Sequence, residues 1–513
     1  MGKFKEMPQP GSQRLLWPRS LDEAVVDAPE VRLLSEVMDD LDFSQLEATY
    51  SEVGCRAYPP RMMAKVLVYA YLKGIRSSRQ IAEMVRHDDR MRWLAGGLRP
   101  DFHTIARFRK ERLEELSDLF EQSIRLCQEK GLVKMRQVAV DGTKVRANAS
   151  RQSLYDEKRV ARERRRVARI LAEAEAVDAE EDAVYGSGSG EGVEEALAEG
   201  QRRAEKLDEV EQHLQESKRK QISASDPECR LMKTRSGLAP SYNVQAAVDA
   251  AGQVIVAADV TQAEADYGQL LPLLEAVEEN TGVRADVVLA DSGFGDAGTL
   301  QALAARGQEA LIPPKEQWRV ARRRDRFAGR HFRYDGDRDV YVCPLGLELT
   351  RQRRQELTGR AYWVYSGRQC KGCTCREECV GNKSGKGRTL WRSAAQAERD
   401  RMWERLATAE GRELYALRQR TVEPVFGQMK SNRRFDRLLL RGLAGAKAEV
   451  ALICLAHNLM KCVRQRALSF GAFLRAARGL WRVIRQHKKA ERVLTDLNLA
   501  VLGRSDTSPQ WAF

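Results

Sequence analysis

The stretch "QVAVDGTKVRANAS", residues 137–150, carries the strand from which the fold of this chain can be inferred. Its first half is apolar, which indicates a buried β-strand, and we expect this strand to end on the carboxylate of Asp141. A glycine and two cations follow at once, Gly142, Lys144 and Arg146. An acid at the end of a buried strand, followed by residues that let a polyanion approach, predicts a functional site.

A second stretch repeats this pattern, because "ADVVLADSGFGD", residues 285–296, reads as a buried strand that ends on Asp291. Between the two acids, "SYNVQAAVDA" at 241–250 and "QVIVAADVTQ" at 253–262 predict an antiparallel hairpin. The segment 266–282 then has the apolar periodicity of a helix. Strands and helices in this order predict a mixed α/β sheet with flanking helices.

Two carboxylates at neighbouring strand ends repel each other unless one is protonated or a cation lies between them. Mg²⁺ prefers carboxylate oxygens, and a pair of ions can hold the attacking and leaving oxygens of a phosphodiester. Glu423 in "RTVEPVFGQMKSNRR" is a candidate third acid. We expect it near the start of a helix, with Pro424 in the first turn and Lys430 on nearly the same face. For each acid alone, the commoner explanation is a carboxylate that satisfies backbone donors.

Several of these segments resemble the motifs of the DDE transposases of bacterial insertion sequences. They are "VAVDGTKVRANAS", "DPECRLMKTRSGLAPSYNVQAAVDA", "VVLADSGF" and "TVEPVFGQMKSNRRFDRLLLRGL", and "YPPRMMAKVLVYAYLKGIRSSRQIAEMVRHDDRMRWLAGG" is similar to the amino-terminal domain of those enzymes. The resemblance extends from about residue 40 to residue 465. It implies an RNase H-like core in which Asp141, Asp291 and Glu423 form the catalytic triad and bind two Mg²⁺ or Mn²⁺ ions.

The spacing around Glu423 departs from the family pattern in one place. Related transposases often have Tyr, two residues, Arg, three residues, Glu, six residues and Lys, whereas here four residues separate Arg418 from Glu423 and Gln419 stands where the Arg is expected. Lys430 fits the pattern, while Tyr415, Arg418 and Arg420 remain alternatives. The residues that we expect to contact DNA are Lys144, Arg146, Lys233, Arg235, Tyr415, Arg418, Arg420 and Lys430. Asn243 and Gln245 share one face of their strand and are expected to line the same cleft, unless they are only half-exposed polar positions.

Composition agrees with a polyanionic partner. The 513 residues carry a formal net charge of +14, with a pI near 9.3, and the 87 Lys and Arg are spread along the chain. Nucleic acid is the first expectation for such a chain, and a basic protein without a polyanionic partner is the alternative. No run of 18 apolar residues occurs and the first residues lack the apolar segment of a signal peptide, so we expect a cytoplasmic location, on the nucleoid when bound to DNA.

The chain is too long for one ordinary core, and its composition changes several times. Residues 153–222 are rich in Ala, Glu and Arg around a Gly/Ser turn, which predicts a helical hairpin inserted into the core. We expect Thr104 to begin a helix that continues to Cys127 in the amino-terminal part. The expected division is a helical DNA-binding or dimerisation domain at 1–135, the catalytic domain at 136–152, 223–317 and 395–465, the hairpin at 153–222, a Cys-rich insertion at 318–394 and a basic tail at 466–513.

Five cysteines in the Cys-rich insertion have spacings typical of a metal site. "CKGCTCREEC" contains Cys370, Cys373, Cys375 and Cys379, and Cys343 precedes it. Because a C-x-x-C turn directs both sulfurs at one tetrahedral ion, we expect structural Zn²⁺ on Cys343, Cys370, Cys373 and Cys379. Reduced or redox-active thiols are the alternative, and His331 could replace one ligand.

The expected function is that of a DNA transposase that binds the terminal inverted repeats of an insertion sequence. It would cut the DNA ends and join the 3′-OH to target DNA by two-metal phosphoryl transfer. The expected partners are double-stranded DNA, at the element ends and the target, and a second copy of the chain, but no membrane. Two alternatives are an RNase H-like nuclease or resolvase that cuts without joining, and an inactive transposase derivative that only binds DNA.

Overall fold

The protein is described by a computed structural model. The described residues are 20–25, 29–51, 56–185, 191–314, 327–357, 360–380 and 387–468. Of the basic tail expected at 466–513, residues 469–513 lie outside the described residues.

The amino-terminal part consists of helices. They are α1 (Leu21–Ala24), α2 (Pro29–Asp39), α3 (Ser44–Ala48), α4 (Pro60–Leu72), α5 (Ser78–His87), α6 (Asp89–Leu94), α7 (Phe102–Glu111) and α8 (Leu113–Glu129). The expectation that Thr104 begins one long helix is wrong. The carboxylate of Asp101 accepts a hydrogen bond from the Thr104 amide and caps α7, and the chain leaves helical geometry at Arg112 before α8 begins.

A six-stranded mixed sheet forms the centre of the protein. Its strands are β1 (Gln137–Arg146), β4 (Arg230–Thr234), β5 (Gly237–Asp249), β6 (Ile255–Thr261), β7 (Val287–Leu289) and β8 (Glu309–Leu311). β5 pairs antiparallel with β1 on one edge, and with β4 and then β6 on the other. β1 pairs in parallel with β7, and β7 in parallel with β8. The predicted hairpin of β5 and β6 is present, and the sheet is compatible with the expected RNase H-like core.

The expectation that Asp141 ends its strand is wrong, because β1 continues to Arg146. Every residue from Val138 to Arg146 pairs with β5, and Asp141 lies opposite Ala246. The reason is the length of the partner, since β5 has 13 residues and offers backbone hydrogen bonds to the polar half of β1 as well. Asp141 therefore lies in the middle of a paired strand, whereas Asp291 follows the end of β7.

Two helices that connect strands of the central sheet pack against it, and two long helices pack against each other. α11 (Leu270–Thr281) follows β6 and ends at Gly282, whose φ of +70° is left-handed, and α12 (Ala297–Ala305) follows β7. α9 (Glu157–Tyr185) and α10 (Glu191–Ser217) lie between β1 and β4 and pack on each other. Two short strands, β2 (Leu154–Tyr155) and β3 (Ile222–Ser223), pair at their base.

The cysteine-bearing segment contains its own antiparallel sheet, in the order β13, β12, β11, β10, β9. The strands are β9 (Arg333–Asp335), β10 (Val340–Val342), β11 (Glu348–Leu357), β12 (Arg360–Ser366) and β13 (Thr389–Ser393), with the short helix α13 (Arg376–Val380) before β13. A small separate core of Phe332, Tyr341, Leu349 and Tyr365 supports this sheet.

The chain then forms α14 (Gln396–Ala407), α15 (Ala409–Gly427), a π-helical turn (Gln428–Asn432) and α16 (Gly442–Leu468). The expected helix start at Glu423 is wrong, because Glu423 lies in the last turns of α15 and Pro424 is inside the helix. Proline lacks the amide that would donate to the Arg420 carbonyl oxygen. The side-chain Nε2 of Gln253 donates to that oxygen instead, at 3.0 Å, so a contact from the β5–β6 turn compensates for the proline.

One continuous hydrophobic cluster joins the amino-terminal helices, the central sheet and α16. Arg76 from the segment before α5 forms a buried ion pair with Glu449 of α16 at 2.9 Å. The expected boundary at residue 135 therefore does not separate two hydrophobic cores. By length and composition alone α16 could cross a membrane, but 78% of its most apolar window is buried inside the protein, which is typical of a core helix.

Candidate active site

The parallel register of β1 and β7 brings the first two predicted acids together. Ala139 pairs with Leu289, so Asp141 and Asp291 each lie two residues beyond the last pair of neighbouring strands. Asp141 Oδ1 accepts a hydrogen bond from the Gly142 amide at 2.9 Å, and Asp291 Oδ1 accepts one from the Gly293 amide at 2.6 Å. The two carboxylates are close enough for Asp291 to raise the pKa of Asp141.

Asp141 is the carboxylate whose ionisation is most affected by its surroundings. Burial raises the pKa of Asp141 from 3.8 to about 6; Arg418 opposes this change, and the negative charge of Asp291 adds to it. Arg418 Nη2 forms an ion pair with Asp141 Oδ1 at 3.0 Å, and both side chains are mostly buried. A buried carboxylate with a raised pKa is one that a cation would stabilise in its charged form.

α15 and the π turn direct two more of the predicted side chains at β1 and β7. The Tyr415 hydroxyl donates to the Ala290 carbonyl oxygen at 3.4 Å, and burial raises the pKa of Tyr415 to about 12. The Lys430 ammonium donates to Thr143 Oγ1 and, at 3.3 Å, to the Lys144 carbonyl oxygen. Burial lowers the pKa of Lys430, and the nearby charge of Arg235 lowers it further. Among the alternatives on this helix, the fold thus brings Tyr415 and Arg418 to the aspartates.

Glu423 and Arg420 lie on α15 but are exposed. Neither side chain forms a hydrogen bond or an ion pair with another described residue, and within the described ranges Glu423 forms no closed metal-binding group with Asp141 and Asp291. Residues five positions apart on a helix point about 140° away from each other, so Glu423 lies on a different face of α15 from Arg418.

Lys144 also faces the acids, from the other surface of β1. Its ammonium lies 3.5 Å from Asp266 Oδ1, an acid that the sequence analysis did not single out. Burial lowers the pKa of Lys144, while the charges of Asp266, Asp291 and Asp141 oppose that change. Asp266 could have been noticed, because it also lies between a strand and a helix. The sequence of the loop does not indicate, however, where its side chain points.

Three other predicted DNA contacts, Arg146, Lys233 and Arg235, form no hydrogen bond or ion pair with Asp141 or Asp291 among the described residues. Arg146 is paired with Asp436 at 2.5 Å, where β1 forms a short parallel bridge to Arg437. Lys233 on β4 and Arg235 in the following turn are exposed. Arg235 is near enough to Lys430 to lower its pKa, so these two cations lie on one surface beside Thr143.

Four of the five clustered cysteines face one small cavity. Its lining includes Cys343, Cys370, Cys373 and Cys379, but neither Cys375 nor His331. Burial raises the pKa of Cys379, and the other three thiols add to that effect, so the four sulfurs lie near one another. Backbone amides of Leu345 and Leu347 donate to the Cys343 sulfur at 3.4 and 3.2 Å.

Within the described ranges, no three metal-ligating side chains have converged to the distances of a closed metal site, either at the acids or at the cysteines. The donor chemistry nevertheless fits two kinds of ion. Paired carboxylates suit a hard divalent cation such as Mg²⁺, and four thiols facing one cavity suit Zn²⁺.

Two family models match the chain, and both describe transposases. The model "Transposase DDE domain" matches residues 342–463, which contain the cysteine cluster, Glu423 and Lys430 but neither Asp141 nor Asp291. The model "Transposase domain (DUF772)" matches residues 19–111, within the amino-terminal helices. No curated protein and no solved structure was found to match the chain.

The two matches support a DNA transposase, a class of enzyme whose partner is DNA. More specifically, the two matches support a DDE transposase of insertion-sequence type. A DDE domain implies an RNase H-like fold, with which the mixed sheet is compatible, and enzymes of this family generally use divalent metal ions.

Proposed function

We propose that the protein binds the terminal inverted repeats of an insertion sequence, cleaves the DNA ends and joins each 3′-OH to target DNA. The observation that carries this proposal is the pair of aspartates, Asp141 within β1 and Asp291 just beyond the end of the neighbouring β7, with Arg418 from α15 paired to Asp141. In the first step water attacks a phosphodiester and releases a 3′-OH on the element. In the second step that hydroxyl attacks a target phosphodiester and displaces a target 3′-OH.

Asp141, Asp291 and Glu423 are the proposed metal-binding acids. When bound, two Mg²⁺ or Mn²⁺ ions would activate the attacking hydroxyl and stabilise the leaving oxygen. Glu423 is proposed because it lies within the match to the DDE domain and on the same helix as Tyr415 and Arg418. The exposed position of Glu423 leaves its side chain accessible to a bound ion or to DNA.

The surrounding cations are the proposed contacts of the DNA backbone. Lys430 contacts Thr143 and lies near Arg235, Lys144 is on the other surface of β1, and Lys233 is exposed on β4. Phosphate contacts of this kind position DNA without reading its sequence, and the affinity they provide falls with added salt. Arg146 and Arg420 would add to the same surface at its edges, and the amino-terminal helices are proposed to recognise the repeats.

The cysteine cluster is proposed as a structural Zn²⁺ site formed by Cys343, Cys370, Cys373 and Cys379. Its support is the shared cavity of the four thiols and the amide hydrogen bonds to Cys343. Among the described residues, the separate core of this small sheet has four buried members, and a domain with a small core commonly needs a metal for stability. Because two element ends must be joined, we also propose that the active form is at least a dimer.

A cleavage and joining assay tests the proposal. The full-length protein is incubated with labelled DNA carrying the inverted repeats that flank its gene, with target DNA and either Mg²⁺ or Mn²⁺. We expect cleaved ends and joined product from the wild type, and neither from Asp141→Ala. Cleavage without joined product would instead indicate a nuclease or resolvase. Binding of the repeats without cleavage by the wild type would indicate a protein that only binds DNA.

A further inference from the structure

Asp266 lies in the loop between β6 and α11, and its side chain is held over β1 and β5. Its Oδ1 accepts hydrogen bonds from Asn243 Nδ2 at 2.8 Å and from Gln245 Nε2 at 2.7 Å. The Lys144 ammonium approaches the same oxygen at 3.5 Å. The other oxygen, Oδ2, forms no hydrogen bond with a described residue. The contacts therefore orient the carboxylate and leave one oxygen available.

Two glycines allow this carboxylate to lie beside the proposed catalytic pair. A Cβ atom on Gly142 would be 2.6 Å from Asp266 Oδ1 and 2.9 Å from Gln245 Oε1. A Cβ atom on Gly293 would be 2.7 Å from Asp291 Oδ1 and 3.3 Å from Asp266 Oδ2. Oxygens of both aspartates thus surround one point above the backbone. Any side chain at either glycine would displace a carboxylate.

Buried amide oxygens at the same place point to a missing ligand. Asn243 and Gln245 are fully buried, and Asn243 Oδ1 and Gln245 Oε1 have no hydrogen-bond partner among the described residues. The amide nitrogens are committed to Asp266, so turning either amide over would direct its oxygen at a carboxylate. A cation, or the water bound to it, would satisfy these oxygens, because hard divalent cations take carboxylate, amide and water oxygens as ligands.

The charges of the cluster are consistent with such a ligand. Three carboxylates, those of Asp141, Asp266 and Asp291, interact with the ammonium of Lys144. Arg418 neutralises Asp141 from the opposite side. Two side-chain cations thus face three acids, so a divalent ion would bring the missing positive charge.

We propose that Asp266 is a further metal-binding residue of the active site, which would hold a divalent cation together with Asp291, with the oxygen of Gln245 directed at the ion or its bound water. This proposal rests on the proposed metal-dependent transposase function and adds a carboxylate to its three acids. Lys144 is held by Asp266 in the absence of the ion and would be released towards DNA when the ion binds.

Binding of Mn²⁺ to the full-length protein, measured from the electron paramagnetic resonance of the free ion, tests this role without reference to activity. We expect Asp266→Asn to weaken binding at least about tenfold, as loss of a ligand or of its support typically does. Glu264→Gln is the matched control, because Glu264 is exposed in the same loop. It should bind within about twofold of the wild type. Asp141→Asn measures the loss caused by a proposed catalytic acid.

A second measurement uses the unmodified protein and so does not depend on whether a variant folds. Hydroxyl radicals generated at bound Fe²⁺ with ascorbate and peroxide cut the backbone close to the ion, and mass spectrometry locates the cuts. We expect cuts near residue 266 in addition to those near residues 141 and 291.

The outcomes separate this inference from the proposed function. If Asp141→Asn loses Mn²⁺ while Asp266→Asn retains it, and no cut occurs near residue 266, Asp266 is not a ligand and the transposase proposal stands. If the wild type binds no Mn²⁺, the metal-dependent function itself is overturned. Weakened binding in Asp266→Asn, with a normal control and a cut near residue 266, supports the inference.

Discussion

Replacing Arg418 by glutamine is expected to move the pH at which the active site acquires a metal ion. Burial raises the pKa of Asp141 to about 6, and this value already includes the opposing effect of the Arg418 ion pair at 3.0 Å. An arginine beside an aspartate typically lowers its pKa by roughly 1 to 3 units. Without Arg418, the pKa of Asp141 should therefore rise to about 7 or above.

The direction in which pH changes the metal affinity follows from the proton on Asp141, which must be lost before the carboxylate binds an ion. Below its pKa Asp141 is neutral, and a divalent cation has to displace the proton, so affinity falls as pH falls. The wild type should lose about tenfold in Mn²⁺ affinity between about pH 7 and pH 5. In Arg418→Gln the same loss should occur between about pH 8 and pH 6. Above this range the variant should bind at least as tightly, because a competing cation is gone.

Free Mn²⁺ measured by electron paramagnetic resonance across this pH range gives both curves. Arg420→Gln is the matched control, since Arg420 lies on the same helix but is exposed and unpaired among the described residues. Its curve should coincide with that of the wild type. If the Mn²⁺ affinity of Arg418→Gln falls over the same pH range as that of the wild type, the Arg418 ion pair does not determine the pKa of Asp141 and the reasoning is wrong.

Three further predictions concern stability and metal content. Because the pKa of Asp141 is raised, its neutral form stabilises the metal-free protein at low pH, and this stabilisation is lost as the pH rises from about 4 through about 6. The free energy of unfolding of Asp141→Asn, minus that of the wild type, should therefore be about 1 kcal/mol larger at pH 7 than at pH 5 when both are denatured in the presence of a chelator. A difference that does not change with pH would contradict this prediction. Glu449→Gln breaks the buried pair with Arg76 and should lower the free energy of unfolding by roughly 3 kcal/mol, whereas an unchanged melting curve would refute a structural role for the pair. Cys370→Ser should remove one Zn²⁺ per chain in metal analysis, whereas Cys375→Ser should not, and equal zinc content in both would exclude the proposed ligand set.

Some features of the site could be predicted from the sequence because they depend on local pattern and strand order. Two apolar segments, each followed by an acid, suffice to suggest that Asp141 and Asp291 are neighbours, and the parallel pairing of β1 with β7 supplies the alignment. The hairpin of β5 and β6 follows from alternation and a tight turn. The extent of β1 could not be predicted, because the polar half of that strand is held by β5 rather than by its own β-propensity.

The remaining features depend on contacts between distant parts of the chain. Pro424 is tolerated inside α15 because Gln253 supplies a donor to the Arg420 carbonyl oxygen, and nothing in the local sequence indicates that donor. The choice between Arg418 and Arg420 depends on the rotation of α15 over the sheet, which its buried residues determine. Asp266 was not predicted, because a loop lacks the repeating residue pattern from which the direction of a side chain is inferred in a helix or a strand.

The arrangement of charges suggests how metal and DNA binding are coupled. Without an ion, two effects reduce the repulsion among the carboxylates. Burial favours a proton on Asp141, and the ammonium of Lys144 and the guanidinium of Arg418 face the acids. A divalent ion would displace the proton and weaken the interactions of both side chains, since it repels them and neutralises the carboxylates that they face. Lys144, no longer held by Asp266, would then be free to contact a phosphate. We therefore expect the metal to increase DNA affinity even in the absence of cleavage, and this increase should be smaller when Lys144 is replaced by methionine.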